Sequence, residues 1–121
     1  MNANLSGALL RNAILREANL TVADLSGAEA PGVNLIRANL SGANLSNSLL
    51  WHAHLCDADL SGALLIVTNF TGADLSGARL LGARLWNEIF LETNFWGTIM
   101  PDGRMHSSPL PAPDGTTRRE N

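Results

Sequence analysis

Apolar residues recur along this chain at every fifth position, and the register never slips. From Leu5 the step of five lands on Leu10, Leu15, Leu20 and Leu25 and runs on to Phe90, Phe95 and Met100, with Leu at fifteen of the twenty centres. Two residues before each centre stands a small side chain, most often Ala, as at Ala3, Ala8, Ala13, Ala18 and Ala23. Between the two lies Asn or Asp in half of the units, and Ser or Thr and then Gly often follow, as in Leu25-Ser26-Gly27 and Leu60-Ser61-Gly62.

A period of five fits neither the 3.6 of a helix nor a sustained 2.0 of a strand. Within a unit, however, the small residue and the Leu are two apart and share one side of a short extended segment. The chain must then turn once per unit. Asn, Asp, Ser and Gly make such turning cheap, through side-chain to backbone hydrogen bonds and tolerance of positive φ. The pattern predicts a coil with a wall of Leu and Ala inside and polar residues outside.

The departures from the pattern set the circuit. Ser48, Thr68 and Glu88 replace Ala at spacings of twenty, in the column that begins with Ala8 and Ala28, and Phe70 and Phe90 are also twenty apart. Stacked residues share one volume, so correlated changes at twenty predict four units per turn. Five such coils at the strand spacing span about 24 Å. Glu88 puts a carboxylate at a nominally inward slot, and it is expected to hydrogen-bond along the Ser48 and Thr68 column, since a bare buried carboxylate is costly.

The runs Ala18-Asn19-Leu20-Thr21, Ala23-Asp24-Leu25-Ser26-Gly27, Ala43-Asn44-Leu45-Ser46, Ala58-Asp59-Leu60-Ser61-Gly62 and Ala73-Asp74-Leu75-Ser76-Gly77 closely match A(N/D)LXX. In this the chain resembles the pentapeptide-repeat family over about residues 3–100. The resemblance implies an all-β fold, a right-handed quadrilateral parallel β-helix of about five four-sided coils. It departs from the family pattern at Ala30-Pro31-Gly32 and at Glu88. For function the resemblance implies either a protein of unassigned biochemical role or a DNA-mimicking binder of type II topoisomerases of the quinolone-resistance kind.

Charge weighs on that choice. The whole chain is 121 residues with a formal net charge of −3, and all of its basic residues are Arg. Within residues 1–100 the acids outnumber the bases by the same small margin. Duplex DNA carries one charge per ~1.7 Å of axis, so a mimic of this length needs about fourteen. Nor is there the basic patch of a nucleic-acid binder.

The single cysteine, Cys56, permits no intramolecular disulfide framework. No signal peptide is legible at the start and no stretch reaches the ~20 apolar residues that span a bilayer. A cytoplasmic protein is expected, or an exported or thylakoid-lumen one if a targeting segment precedes this sequence. His52, His54 and Cys56 are good zinc ligand types, but three clustered donors do not close a site, so no metal and no cofactor is expected. No nucleophile-base pair, phosphate loop or paired carboxylates can be assembled, and a core filled by Leu and Ala leaves no substrate cavity. The reading is a non-catalytic scaffold or protein-interaction module.

The chain divides into a repeat region, 1–100, and a Pro-, Gly- and Ser-rich tail, 101–121, expected to be disordered or partly capping. Just before the tail the outside changes character. Trp86, Leu91 and Trp96 stand where Ser or Thr usually follows the centre, and Ile89 and Ile99 replace Asn or Asp. Such an exposed apolar set marks a contact: the tail folding back, an unidentified protein partner, or a second copy joined through a solenoid end.

Overall fold

The computed structural model describes residues 3–106. Its two named strands, β1 (Leu64–Ile66) and β2 (Arg84–Trp86), pair in parallel with Leu64 opposite Arg84 and Ile66 opposite Trp86. Elsewhere the extended arms are so short that the pairing consists of single parallel bridges. These also join residues twenty apart, from Asn4 with Asp24 to Arg79 with Ile99. Four five-residue units therefore separate each residue from the one stacked on it, as the substitutions at 48, 68 and 88 predict. The units form four columns, centred on Leu5, Leu10, Leu15 and Leu20 in the first layer.

The units turn alike, except that those of Thr68 and Glu88 lack the closing hydrogen bond. The amide of the small residue donates to the preceding central carbonyl, as in Ala8 to Leu5 at 3.0 Å. The second residue after each centre has φ from +55° at His52 to +73° at Gly97. One positive φ at that place is the mark of a type II turn. Pro31 and Gly32 suit its two middle positions, so the Ala30-Pro31-Gly32 departure leaves the turn regular. At Gly32, Gly72 and Gly77 the place of a Cβ is taken by a side chain of the preceding layer, that of Asn12, His52 and Asp57 in turn, so a larger residue there would displace it.

The Asn or Asp of each unit latches its own turn. Its side-chain oxygen accepts the amide two residues on, as in Asp24 from Ser26 at 3.0 Å and Asn39 from Ser41 at 3.0 Å. Where Ser or Thr follows the centre, the hydroxyl often joins the same oxygen, as in Asn19 from Thr21 at 2.6 Å. These are Asx-type turns, in which a short polar side chain replaces a backbone partner.

The interior is a stack of Leu and Ala with Phe70 as its largest wholly buried side chain. Each buried Leu contributes about 1.5–3 kcal/mol relative to exposure. Four hydroxyl residues, Ser48, Thr68, Thr93 and Thr98, occupy Ala slots and are wholly buried. Each is satisfied by a backbone carbonyl: Ser48 and Thr68 both donate to Leu45, Thr93 to Phe70 and Thr98 to Leu75. The expected chain of bonds down the 48, 68 and 88 column is therefore replaced by bonds to the main chain. Glu88 is only partly buried and its carboxylate bonds to no described residue. Its slot in the last described layer is only half covered, so no buried partner is needed.

The layers at both limits of the described chain cover their centres less well. Leu5, Leu10 and Leu15 are partly buried, as are Leu85, Phe90, Phe95 and Met100. After Met100 the chain reverses. Met105 pairs antiparallel with Ile99, His106 donates to the Thr98 carbonyl at 2.8 Å, and Gly97 donates to the His106 carbonyl at 3.0 Å. The His106 side chain is buried, its ring 5.2 Å from that of Phe95. The remainder of the tail reading, over 107–121, lies outside the described residues.

Candidate interaction surface

The outward positions differ sharply between middle and last layers. In the middle, Asp24, Asn34, Asn39, Asn44, Asp59 and Asp74 are spent on their own turns. In the last layer only Asn94 does this, accepting the Trp96 amide at 3.0 Å. Trp86 is 65% exposed, Leu91 57%, Trp96 56% and Ile89 42%. Ile99 is partly buried, because Met105 lies against it.

These five residues are spread over all four columns. Trp86, Ile89 and Leu91 follow one another along the first and second columns, whereas Trp96 and Ile99 lie on the third and fourth, beside the reversed segment. The structure adds neighbours that the register reading passed over. Val67, exposed and stacked one layer from Asn87, and Ile66, opposite Trp86, extend the apolar corner. Leu81 and Met105 are exposed on the far side. Val67 was detectable in the sequence, since it occupies a turn position where Gly and Asn predominate.

The aromatic centres stack into the same end. Phe70 and Phe90 lie 5.3 Å apart and nearly parallel, and Phe95 meets Phe90 edge-on at 4.8 Å. Such pairs contribute ~0.5–1.5 kcal/mol beyond their buried area.

The His52, His54 and Cys56 group takes a different form from a metal centre. The Cys56 thiol donates to the Asp74 carboxylate at 3.1 Å and lies 3.4 Å from the Ser76 hydroxyl. Burial, then the Asp74 carboxylate, push the thiol pKa up despite the Ser76 contact. The thiolate that binds metals or attacks electrophiles is correspondingly scarce at neutral pH. Burial works against the Asp74 carboxylate, but hydrogen bonds from the Ser76 hydroxyl and amide and from Cys56, with His54 nearby, hold its pKa below the usual value. Among the described residues no three His, Cys, Asp or Glu side chains gather as metal ligands. Nor is any helix among them long and apolar enough to cross a membrane.

A parallel ladder with a twenty-residue register, a turn every five residues and a Leu-Ala core defines a β-solenoid repeat protein. The chain belongs to the pentapeptide-repeat family: the family model, Pentapeptide repeats, matches in 8 copies over residues 3–42, 38–66 and 68–106. Among solved structures it is similar to a pentapeptide repeat protein of Nostoc PCC 7120, with 40% identity and a TM-score of 0.69 over 75% of this chain and 76% of that one. A pentapeptide repeat protein of the cyanobacterium Cyanothece 51142 is 38% identical with a TM-score of 0.53, over 72% of this chain and 56% of that one. A thylakoid-lumen pentapeptide repeat protein of Arabidopsis thaliana, 24% identical with a TM-score of 0.52 over 98% of this chain and 82% of that one, shares the fold. No curated protein matches the chain.

Proposed function

We propose that this protein is a non-catalytic interaction module, a right-handed quadrilateral β-helix of about five coils that presents its last coil to a protein partner. The observation that carries this reading is the gathering of exposed apolar side chains at Trp86, Ile89, Leu91 and Trp96, on a scaffold whose Asn and Asp before the centres serve its own turns. Apolar side chains held out by a rigid ladder lose little entropy on binding, and Trp is the residue type that most often anchors an interface. The Asn and Asp that precede the centres of the middle coils are already occupied, which leaves that stretch chiefly a spacer. The reversal at 101–106 serves as a partial cap, and the repeat region is one unit with it.

Capture of partners on the immobilised protein tests this reading. A partner bound by the intact chain and lost with Trp86→Ser/Trp96→Ser supports it. Equal capture by both proteins, with folding of the variant verified by circular dichroism, places the surface elsewhere. Potent inhibition of gyrase supercoiling by the purified protein would overturn it in favour of DNA mimicry.

A further inference from the structure

The last layer ends its hydrogen-bond ladder in two ways. Throughout the solenoid each central amide donates to the layer that follows, as in Leu65's counterparts Leu25 to Asn44 and Leu45 to Leu64, both within 2.8 Å. In the fourth column this need is met by the reversed segment, with Met100 donating to the Arg104 carbonyl at 2.7 Å, and Gly97 and Thr98 are paired with His106. In the first and second columns, and at the Phe95 amide and Thr93 carbonyl of the third, no described residue takes the place of a following layer. The amides of Leu85, Asn87, Phe90 and Glu92 and the carbonyls of Ala83 and Glu88 bond to no described residue. The same stretch carries the half-buried Leu85 and Phe90 side chains of the core end and the exposed Trp86 at its rim.

Resting on the interaction-module reading, we infer that this two-column ledge binds one peptide, turned once between the columns as the repeat is, by parallel β-augmentation. Backbone groups supply the affinity in that mode and alternate side chains the specificity. The stacking rule on the page states the occupant's chemistry. It is a segment of about eight residues with small-x-large-x-x-small-x-large spacing. Small side chains lie over Ala83 and Glu88, large apolar ones over Leu85 and Phe90. Amides are needed at the residues facing the Ala83 and Glu88 carbonyls, so Pro is excluded there. A whole second solenoid does not fit, because residues 101–106 occupy the space over the fourth column. The reversal thereby blocks open-ended head-to-tail stacking, the arrangement that generates fibres, while no described residue covers the first two columns.

The chain's own residues 3–12, Ala3-Asn4-Leu5-Ser6-Gly7-Ala8-Leu9-Leu10-Arg11-Asn12, have this spacing and serve as the probe when synthesised as a capped peptide. Titration into the full chain, followed by Trp fluorescence and amide hydrogen exchange, is expected to show saturable binding. The amides of Leu85, Asn87, Phe90 and Glu92 then gain protection, while those of Gly97 and Met100 are protected from the start. A peptide carrying Asn4→Pro and Leu9→Pro is expected to bind about tenfold or more weakly, having lost two ladder donors. Binding without protection of those four amides, equal binding of the Pro peptide, or no binding at millimolar peptide overturns the inference. Any of these results alongside Trp-dependent capture of a protein partner would leave the interaction-module reading standing and remove only β-augmentation.

Discussion

The middle layers and the last layer are built from the same five-residue unit, yet they use their outward positions in opposite ways. In the middle, Asp24, Asn39 and Asp74 turn inward on their own backbone and leave little for a partner. In the last layer Arg84 and Ile89 stand at that position, their side chains bond to no described residue, and Trp86, Leu91 and Trp96 point outward. The difference teaches that in a solenoid the latch of the turn and the binding surface compete for the same side chains. A layer becomes a contact by giving up its latches, and it can do so most cheaply at an end, where fewer neighbours depend on it.

Six substitutions break or sharpen this contrast. The largest effect is expected in the middle core: Phe70→Ala removes a wholly buried ring and should cost about 3–5 kcal/mol in chemical denaturation. Leu85→Ala, at a half-buried centre of the last layer, should cost only about 1–2 kcal/mol. Equal losses would mean that both layers are equally packed. Next, His106→Pro removes the amide that bonds Thr98 and the ring that packs on Phe95. A loss of about 1–3 kcal/mol is expected, with concentration-dependent light scattering as the block on stacking loosens. An unchanged Tm and a monomer at high concentration would show that the reversal neither stabilises nor blocks.

Val22 and Val67, β-branched yet held at φ +59°, should yield a gain of about 1 kcal/mol on replacement by Gly. The gain is expected at both sites, since each lies on an exposed turn; a loss at either would mean that the Val methyl groups pack. The smallest effect is electrostatic. Asp24 and Asp74, latches in the middle layers, have folded pKa values below the ordinary 3.8. A depressed folded pKa gives stability that is present above the unfolded value and lost as pH falls through the folded one. Tm should therefore hold on acidification to about pH 4 and then decline, less steeply in Asp74→Asn. An identical decline in the variant would remove Asp74 from the account.

The five-residue register, the inward Leu and Ala and the turn chemistry of Asn, Asp, Ser and Gly could all be read before any coordinates, as could the twenty-residue stacking from Ser48, Thr68 and Phe70 with Phe90. The family pattern covers the same span. Trp86, Ile89, Leu91 and Trp96 were legible too, as apolar residues in polar slots. The fate of Glu88 was not: whether an inward slot is wet depends on what lies over it, and that depends on how the chain continues. The paired hydroxyls of Ser48 and Thr68 on one Leu45 carbonyl were likewise hidden, because a periodic pattern names a column without showing which acceptor within reach is closer.

By itself, the sequence determined everything that repeats: the period, the side of each residue, the turn and the number of units between stacked partners. Those follow from local spacing and from size matching between neighbours in a column. Only the tertiary structure decided how the ladder stops. The reversal at 101–106, the burial of His106 on Phe95 and the unpaired amides from Leu85 to Glu92 depend on contacts made once. Periodicity carries no information about a contact that occurs a single time.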